Sequence, residues 1–278
     1  MGTFTGKKNT TMTCTPSFNP SARDDGPAVA GMTGIYREAP PQDQLRPHFL
    51  CAWTSELAPG QDGDVAVLPD GCVDILWEGN RLSVVGPDVV AARPQLGPGA
   101  RVLGLRFQPG AARGWLGVPL SELVGCKVEL EALWGGGRAD RIVRRLRDAT
   151  SPGIQLRTLQ DALAQEVPWA GAPQPRAAAL FRWLATVSDP GGRMLCERLE
   201  LSDRSLRRLS LEHFGYGPKT LERILRLQRF IGLLHREPDA SLAALAAGAQ
   251  YADQAHLSRE VRALCGMTPS ALQARSRG

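Results

Sequence analysis

The sequence contains no run of eighteen apolar residues, so it offers no segment long enough to cross a bilayer as a helix. Its first residues lack the basic and then apolar pattern of a secretory signal. Cysteine is scattered, with no CxxC pair and no cysteine and histidine cluster at zinc spacing. The positions are Cys14, Cys51, Cys72, Cys126, Cys196 and Cys265. These absences predict a cytoplasmic protein without a bound metal, whose thiols are reduced and mostly buried.

Residues 1–31 are rich in Thr, Ser, Pro, Gly and Asn and have almost no apolar periodicity. A segment of this composition cannot bury a core, so we predict a disordered tail. The structured pattern opens at Met32. Two interpretations stay open, a native start at Met32 preceded by an extension, and a genuine flexible arm.

The length of 278 residues suits two domains. Residues 32–167 contain short segments rich in β-branched and aromatic residues, bounded by Gly, Pro, Asp or Asn, which predict strands. They are FLCAW (49–53), VAVLP (65–69), VDILW (73–77), RLSVVG (81–86) and RVLGLRF (101–107). Helical apolar spacing follows, at residues 142–146 and 156–167. We therefore predict a β-rich domain with a small helical subdomain, and then a proline-rich linker, residues 168–175, that few contacts cross.

Residues 176–278 contain two copies of one local pattern, an amphipathic helix that stops at Gly and restarts at Pro. In the first copy Ser202 is the expected N-cap, and Asp203 complements the helix dipole. Gly215 is expected to end this helix in a left-handed conformation, and Pro218 suits the first turn of the next helix. The basic face of the first copy carries Arg204, Arg207 and Arg208.

The second copy has Asp253 as its expected cap, Gly266 as its stop and Pro269 as its restart. Its open face carries Gln254, His256, Ser258, Arg259 and Arg262. Between the copies, residues 220–236 predict one long amphipathic helix whose arginines recur at three-residue steps on the solvent side. Two helix-turn-helix units in this order favour binding to double-stranded DNA.

Charge is distributed unevenly along the chain. Residues 176–278 hold 16 Lys and Arg against 10 Asp and Glu, whereas residues 1–175 hold 17 against 18. Basic charge confined to one domain is the pattern expected for phosphate binding. Arginine-rich helix faces also serve solubility alone, so charge supports the motif and does not replace it.

Residues 176–274 resemble the DNA-binding domain of the AraC/XylS family of transcription regulators. The resemblance rests on LSDRSLRRL, the GYGP junction, the long linker helix and above all YADQAHLSREVRALCGMTPSAL. It implies a seven-helix domain whose two recognition helices enter successive major-groove segments. It also implies base-reading residues on each helix, namely Arg204, Arg207 and Arg208, and Gln254, Ala255, His256, Ser258 and Arg259. The sequence departs from the family at Ser210 and Val261, where a bulky aromatic residue is usual, and at Gln250, where a turn glycine is usual.

LPDGCVDILW and LGLRFQPGAARGWLGVPLSEL resemble the N-terminal sensor domain found in a subset of AraC-type regulators. That domain is a barrel-like, cupin-related module, and the resemblance covers residues 35–165. It implies ligand sensing or dimerisation. The fold expected is therefore α+β, a barrel-like β-rich sensor domain with a small helical subdomain, followed by an all-α domain with two helix-turn-helix motifs.

Candidate sensor residues surround the PDG turn, where Pro69 and Gly71 suit the two corners. Asp70, Cys72 and Asp74 would form a thiol or metal constellation with His48 if the fold joined them. Turn and backbone hydrogen bonds are the more ordinary role for such residues.

The aromatic side chains also carry two interpretations. Trp53 and Trp77, with Trp115 and Trp134, either line an apolar ligand cavity or pack in an ordinary core. Arg106 pairs either with an acidic ligand or with the neighbouring aspartates. The residues named as ligand-binding candidates are Trp53, Asp70, Cys72, Asp74, Trp77 and Arg106.

The sequence thus predicts a DNA-binding transcription regulator, with no catalytic residues and no cofactor. The expected partners are double-stranded DNA, a small-molecule effector, a second copy in a homodimer, and RNA polymerase if the protein activates; no membrane partner is expected. One alternative is a thiol-dependent enzyme or repair activity fused to the DNA-binding domain. Another is an interaction scaffold that makes no DNA contact.

Overall fold

The computed structural model of the protein describes residues 2–5, 11–16, 28–29, 35–58, 65–94, 96–186 and 192–277. Ten strands lie in its N-terminal part, and helices make up the part that follows. The strands β1 to β10 are Gly2–Thr5, Thr11–Pro16, Ala28–Val29, Ile35–Ala39, Phe49–Glu56, Val65–Ala66, Asp74–Glu78, Arg81–Val85, Arg101–Phe107 and Cys126–Glu129. All five strand segments predicted from the sequence contain a strand, and the β-rich prediction is confirmed.

Eight of the strands form one sheet in the order β1-β2-β10-β8-β7-β9-β5-β4, and β3 pairs in parallel with β6. β7 lies near the centre, antiparallel to both β8 and β9. In the described chain the edge strands β1 and β4 are not paired with each other.

Successive side chains of a strand point to opposite sides, so the two faces of the sheet contribute to different hydrophobic clusters. Ile75 and Trp77 of β7 enter the main core together with Leu105 and Phe107 of β9. Leu76 lies in a separate, smaller cluster with Cys51, Trp53 and Val102. Trp77 is therefore a core residue, 4 % exposed, in agreement with the packing interpretation.

Five helices complete the N-terminal part of the described chain, with short 3-10 turns at Asp43–Leu45 and Leu120–Glu122. These helices, α1 to α5, are Ala112–Leu116, Leu130–Trp134, Gly136–Asp148, Pro152–Ala164 and Val167–Ala170. Their apolar faces, including Ile142, Leu146, Leu159 and Leu163, cover the core side of the sheet. The small helical subdomain is thus confirmed, and α5 occupies the start of the predicted linker.

Seven helices follow in the described residues from 175 onward, as expected. These helices, α6 to α12, are Pro175–Thr186, Gly192–Leu199, Asp203–Phe214, Pro218–Arg236, Leu242–Gly248, Gln254–Cys265 and Pro269–Ser276. α9 is the long connecting helix, and its apolar residues lie in two cores. Leu221, Ile224 and Leu225 pack with the first helix-turn-helix unit, whereas Leu227, Phe230 and Leu234 pack with the second.

The two parts of the chain pack against each other, which the prediction of a linker that few contacts cross did not anticipate. The side-chain amide of Gln228 on α9 donates to the carbonyl of Pro69 at 2.8 Å. The backbone amide of Ala91 donates to the carbonyl of Leu264 at 2.7 Å. Ala66 and Ala91 are buried in the core of the second helix-turn-helix unit. A flexible composition at residues 168–175 does not prevent burial between the elements on either side.

The tail prediction also differs from the structure where that range is described. β1, β2 and β3 lie within residues 1–31, and β2 pairs antiparallel with β10. The physical reason is that β10 offers an unpaired edge, which any extended segment with free backbone groups can complete. The remainder of the predicted tail lies outside the described residues.

Two further findings concern the absences noted in the sequence. None of the helices in the described ranges is long and apolar enough to span a membrane. Cys51, Cys72, Cys196 and Cys265 are free thiols, whereas Cys126 is disulfide-bonded, which departs from the expectation of reduced thiols throughout.

Candidate nucleic-acid interface and sensor cluster

The first candidate DNA-reading helix is α8, and its ends form as its sequence predicts. The hydroxyl of Ser202 accepts from the amide of Ser205 at 3.3 Å, which satisfies one of the free donors of the first turn. Gly215 ends the helix with a φ of 86°. The departure at Ser210 has a specific role, because its buried hydroxyl donates to the carbonyl of Tyr216 at 2.6 Å and ties the helix to the following turn.

The second candidate DNA-reading helix is α11, which is built in the same way. Asp253 accepts from the amide of His256 at 2.6 Å, and Gly266 ends the helix with a φ of 67°. Val261 is fully buried at the position that corresponds to Ser210. The Gln250 departure is accommodated by a φ of 67°, so a non-glycine residue adopts the left-handed turn expected of glycine there.

The predicted base-reading residues share two exposed faces. On α8, Arg207 and Arg208 follow Arg204 by three and four residues, so the three side chains lie on the same side of the helix. Seven of the nine predicted DNA-contact residues are exposed, and two, His256 and Ser258, are half-buried. The exposed set is Arg204, Arg207, Arg208, Gln254, Ala255, Arg259 and Arg262. His256 packs edge-on against Tyr251, with ring centroids 5.3 Å apart, so part of its surface serves the fold.

The arginines of α9 do not form the solvent-facing row that the sequence predicts. Arg223 pairs with Glu260 of α11 at 2.7 Å. Arg226 is largely buried, pairs with Glu222 and lies over the ring of Tyr251. Arg229 donates to the carbonyls of Leu184 and Ala185 at the end of α6, both at 3.1 Å. These three side chains are internal braces that hold α9 to its neighbours.

Three-residue spacing alone could not reveal this role. A helical step of three leaves residues on one face, but it does not say whether that face meets solvent or another helix. The acceptors come from α6, α9 and α11, which are brought together only by packing. The burial of Arg229 disfavours its charged form, and it therefore lowers the pKa of the guanidinium.

The N-terminal domain, the sensor domain expected from the sequence, contains a polar cluster centred on Arg106 of β9. Its guanidinium lies 3.3 Å from Asp74, 3.5 Å from Asp70 and 3.7 Å from Glu38. The indole of Trp53 donates to Asp74 at 2.8 Å. Trp53, Asp70, Asp74 and Arg106 are therefore brought together, and Arg106 pairs with the aspartates, one of the two partners considered from the sequence.

Register places this cluster on three adjacent strands. Cys51, Arg106 and Asp74 face each other across β5, β9 and β7. Burial raises the pKa of Asp74 to about 6, although Arg106 acts in the opposite direction. Burial raises the pKa of the Cys51 thiol to about 12. Three carboxylates around one guanidinium leave an excess of negative charge in a partly buried site.

Cys72 sits in the turn beside this cluster. Its amide donates to Asp70 at 2.8 Å, which is the ordinary turn role considered for that aspartate. Burial raises the pKa of the Cys72 thiol well above its usual range, and Asp70 adds to this effect. A thiol held protonated in this way is a poor nucleophile.

The metal and thiol constellation does not form around His48. In the described contacts, His48 packs edge-on against Trp115, at a centroid distance of 5.4 Å, and burial lowers its pKa. No group of His, Cys, Asp and Glu among the described residues is arranged to hold a metal ion. Trp115 joins Phe49 and Phe107 in an aromatic group of the main core, which is the packing interpretation.

The cluster turn touches the DNA-binding part directly. Gly71 has a φ of 79°, as the turn requires. A Cβ at this position would lie 3.3 Å from Phe181, 3.4 Å from Leu221 and 3.7 Å from the hydroxyl of Tyr216. Glycine is thus needed twice, for the turn and for the close approach to α6 and α9.

Two family models match the chain. A model described as a helix-turn-helix domain matches residues 195–275, and a model described as a domain of unknown function (DUF6597) matches residues 37–129. Proteins with curated descriptions include no significant match.

Solved structures of ToxT from Vibrio cholerae are similar to this chain. One has 9 % identity and a TM-score of 0.46 and covers 83 % of this chain and 100 % of that chain. The unsaturated fatty acid-bound wild type has 12 % identity and a TM-score of 0.44, with 81 % and 95 % covered. A complex with (E)-4-(8-methylnaphthalen-1-yl)but-3-enoic acid has 10 % identity and a TM-score of 0.45, with 82 % and 99 % covered.

The helix-turn-helix match covers both capped helices and the long helix between them. It confirms the helix-turn-helix pattern predicted for this part of the chain. The C-terminal part is therefore a helix-turn-helix DNA-binding domain.

Proposed function

We propose that the chain reads two successive major-groove segments of its operator, one with α8 and one with α11. The observation that carries this proposal is the pair of exposed basic faces on two equivalently capped helices. Arg207 and Arg259 are the central base-reading residues, because an exposed guanidinium can donate to both acceptors of a guanine. Arg204, Arg208 and Arg262 bind neighbouring bases or phosphates.

The second part of the proposal concerns control. The sensor domain binds a small-molecule effector and sets the position of the two DNA-reading helices through the contacts described above. The cluster of Trp53, Asp70, Cys72, Asp74 and Arg106 belongs to this control, because its turn packs on Tyr216 and Leu221. The protein acts in the cytoplasm, where its DNA lies, as a homodimer, and it engages RNA polymerase where it activates.

We propose no enzymatic activity. The thiol-dependent alternative requires a reactive Cys72, and the raised pKa of that thiol opposes it. Incubation with an alkylating agent followed by intact-mass analysis tests the point. Stoichiometric modification of Cys72 under native conditions would favour the enzyme.

The DNA-reading proposal is tested by operator mapping and substitution. Genome-wide capture of bound DNA followed by footprinting defines the site. Arg207→Ala and Arg259→Ala are each expected to lower affinity by about 1–3 kcal/mol and to relax specificity only in their own half of the operator. Arg144→Ala, an exposed arginine of the sensor domain, is the matched control and should change nothing.

Operator libraries measured with each variant give the decisive readout. Equal loss across both halves for Arg207→Ala and Arg259→Ala would contradict separate reading by two helices. No salt-dependent binding to any duplex would instead favour the scaffold alternative.

A further inference from the structure

A cleft of about 240 Å³ opens on the helical subdomain, away from the Arg106 cluster. Its walls come from α1, α2, the first turn of α3 and α5. Three indoles, those of Trp115, Trp134 and Trp169, share it with one ion pair, Arg138 and Glu166. Neither the DNA-reading helices nor the Arg106 cluster uses these side chains.

Trp169 is the most unusual of the three indoles. It is 77 % exposed, more than any other large apolar side chain in the described ranges. Trp134, by contrast, is held firmly, because its ring stacks on Trp115 with centroids 6.2 Å apart and its indole donates to the Trp115 carbonyl at 2.7 Å. One wall of the cleft is therefore rigid, and the other is an indole that an aromatic occupant would cover.

The polar groups of the cleft are paired with each other but not saturated. Arg138 donates to Glu166 through Nε at 2.8 Å and through a second nitrogen, and both bonds reach the same oxygen, Oε2. The other carboxylate oxygen, Oε1, has no partner among the described residues. The indole Nε1 of Trp115 is buried and also lacks a described partner. The site thus offers one acceptor beyond its own ion pair, the Oε1 atom of Glu166.

These features define the chemistry of the occupant. Arg138 already neutralises Glu166, so a charged ligand would leave an unpaired charge in a partly buried place. A volume of 240 Å³ suits one or two rings, since a cavity of about 150 Å³ holds a benzene. We propose that the cleft is an effector site for a small, uncharged aromatic molecule that carries a hydroxyl or an N–H group.

The position of the cleft connects it to the first DNA-reading helix. α5 is seated closely on α1, because a Cβ at Gly114 would lie 2.6 Å from the carbonyl of Ala170. α1 also faces α8, where Arg113 approaches Glu212 at 3.6 Å. An occupant that touches both α1 and α5 therefore changes the support of α8. This coupling rests on the proposed regulator function, whereas the binding step does not.

Binding is tested by calorimetric titration of the full chain with phenol. Trp169→Ala is expected to lower the affinity for phenol about tenfold or more, and Trp169→Phe to retain it within about threefold, because the ring and not the residue identity is needed. Ile154→Ala, a change at an exposed apolar residue elsewhere, is the control. Since Trp169 is exposed, these variants should keep the melting temperature of the parent.

Glu166→Gln tests the polar part of the site, and a loss of about tenfold is expected from removal of a charged acceptor. Benzoate and benzylammonium, which resemble phenol in size but carry a charge, should bind more weakly than phenol. Absence of phenol binding, unchanged affinity in Trp169→Ala, or tighter binding of either charged compound would overturn the proposal.

The coupling has its own measurement. Saturating phenol is expected to change the affinity of the full chain for its mapped operator several-fold, and the change should vanish in Trp169→Ala. Phenol binding at the cleft without any change in operator affinity would overturn the effector role. Failure of the chain to bind any DNA would instead contradict the proposed function, and the calorimetric result would still decide the binding step.

Discussion

The two candidate DNA-reading helices are built alike but supported differently. α8 rests on the sensor domain, since His213 Nδ1 lies 2.9 Å from the carbonyl of Gly110 and Gly215 fits against Val124, Pro87 and Leu120. α11 is reached by the sensor domain through the segment before β9, where Ala91 donates to Leu264. A Cβ at its terminal glycine, Gly266, would have one described neighbour within 4 Å, the Arg93 guanidinium at 3.8 Å.

This difference indicates how a signal would travel. A change in the sensor domain would reach α8 through Gly110 and the residues around Gly215. It would reach α11 through Ala91, and also through α9, which Arg223 joins to Glu260. Identical local motifs can therefore differ in their regulation, because regulation depends on what lies against each motif.

The largest expected effect comes from the two terminal glycines. Gly215→Ala should lower the free energy of unfolding by about 2–5 kcal/mol, because a left-handed φ is combined with a Cβ placed 2.6 Å from Val124. Gly266→Ala has only the conformational cost, about 1–2 kcal/mol. Urea unfolding of both variants measures the difference, and equal losses would contradict the unequal support of the two helices.

A second pair exchanges the residues that occupy equivalent positions. Val261→Ser should cost about 2–4 kcal/mol, because it removes apolar volume from a core and buries a hydroxyl. Ser210→Val should cost about 1–3 kcal/mol, because the buried carbonyl of Tyr216 loses its donor. Chemical denaturation of both variants checks these values, and a stabilised Ser210→Val would show that the hydroxyl is dispensable.

The contact between His213 and Gly110 should respond to pH. Burial lowers the pKa of His213 below its ordinary value of 6.5, although the Gly110 hydrogen bond acts in the opposite direction. The unfolded chain then binds more protons than the folded one as the pH falls below that value, so stability decreases with acidification.

His213→Gln, which keeps a side-chain donor, should remove this part of the pH dependence. Unfolding curves of the variant and the parent at pH values on both sides of the ordinary histidine pKa provide the measurement. His235→Gln is the matched control, because His235 is exposed. A pH profile that is unchanged in His213→Gln would refute the assignment.

The smallest effect concerns the turns that precede the two helices, and here the two motifs should behave alike. Glu200 and Gln250 both have positive φ, 52° and 67°. Glu200→Gly and Gln250→Gly should each raise the free energy of unfolding by roughly 0.5–1 kcal/mol. Glycine relieves the strain of the left-handed backbone, but its greater freedom in the unfolded chain offsets part of that gain. Thermal denaturation of both variants is sufficient, and destabilisation in either would show that its side chain makes a needed contact.

Much of the DNA-binding part could be predicted from sequence because its signals are local. Ser202 and Asp253 cap helices that begin one residue later, and Gly215 and Gly266 end them within the same short segments. Strands such as VDILW and RVLGLRF were likewise predictable from composition and their bounding residues. In each case the atoms that decide the conformation lie a few residues apart.

The sensor cluster was predictable only in part. Asp70, Cys72 and Asp74 are neighbours in sequence, but their partner Arg106 is selected by the register of β7 against β9. Trp77 shows the limit of composition, because strand alternation and sheet packing placed it in the core and Trp53 on the other face. Burial of an aromatic residue cannot be assigned to one face before the sheet is assembled.

The sequence by itself determined the capped ends of α8 and α11, the positions of five strands, and seven of the nine residues that the two candidate DNA-reading faces expose. Tertiary structure alone decided that Arg223, Arg226 and Arg229 hold α9 to its neighbours. It also decided that Gly71 and Gly215 lie in close contact with the other domain, and that Trp169 borders a cleft. The physical reason is range. Capping and backbone conformation depend on near neighbours in the chain, whereas burial, ion pairing and cavities depend on elements brought together from distant positions by packing.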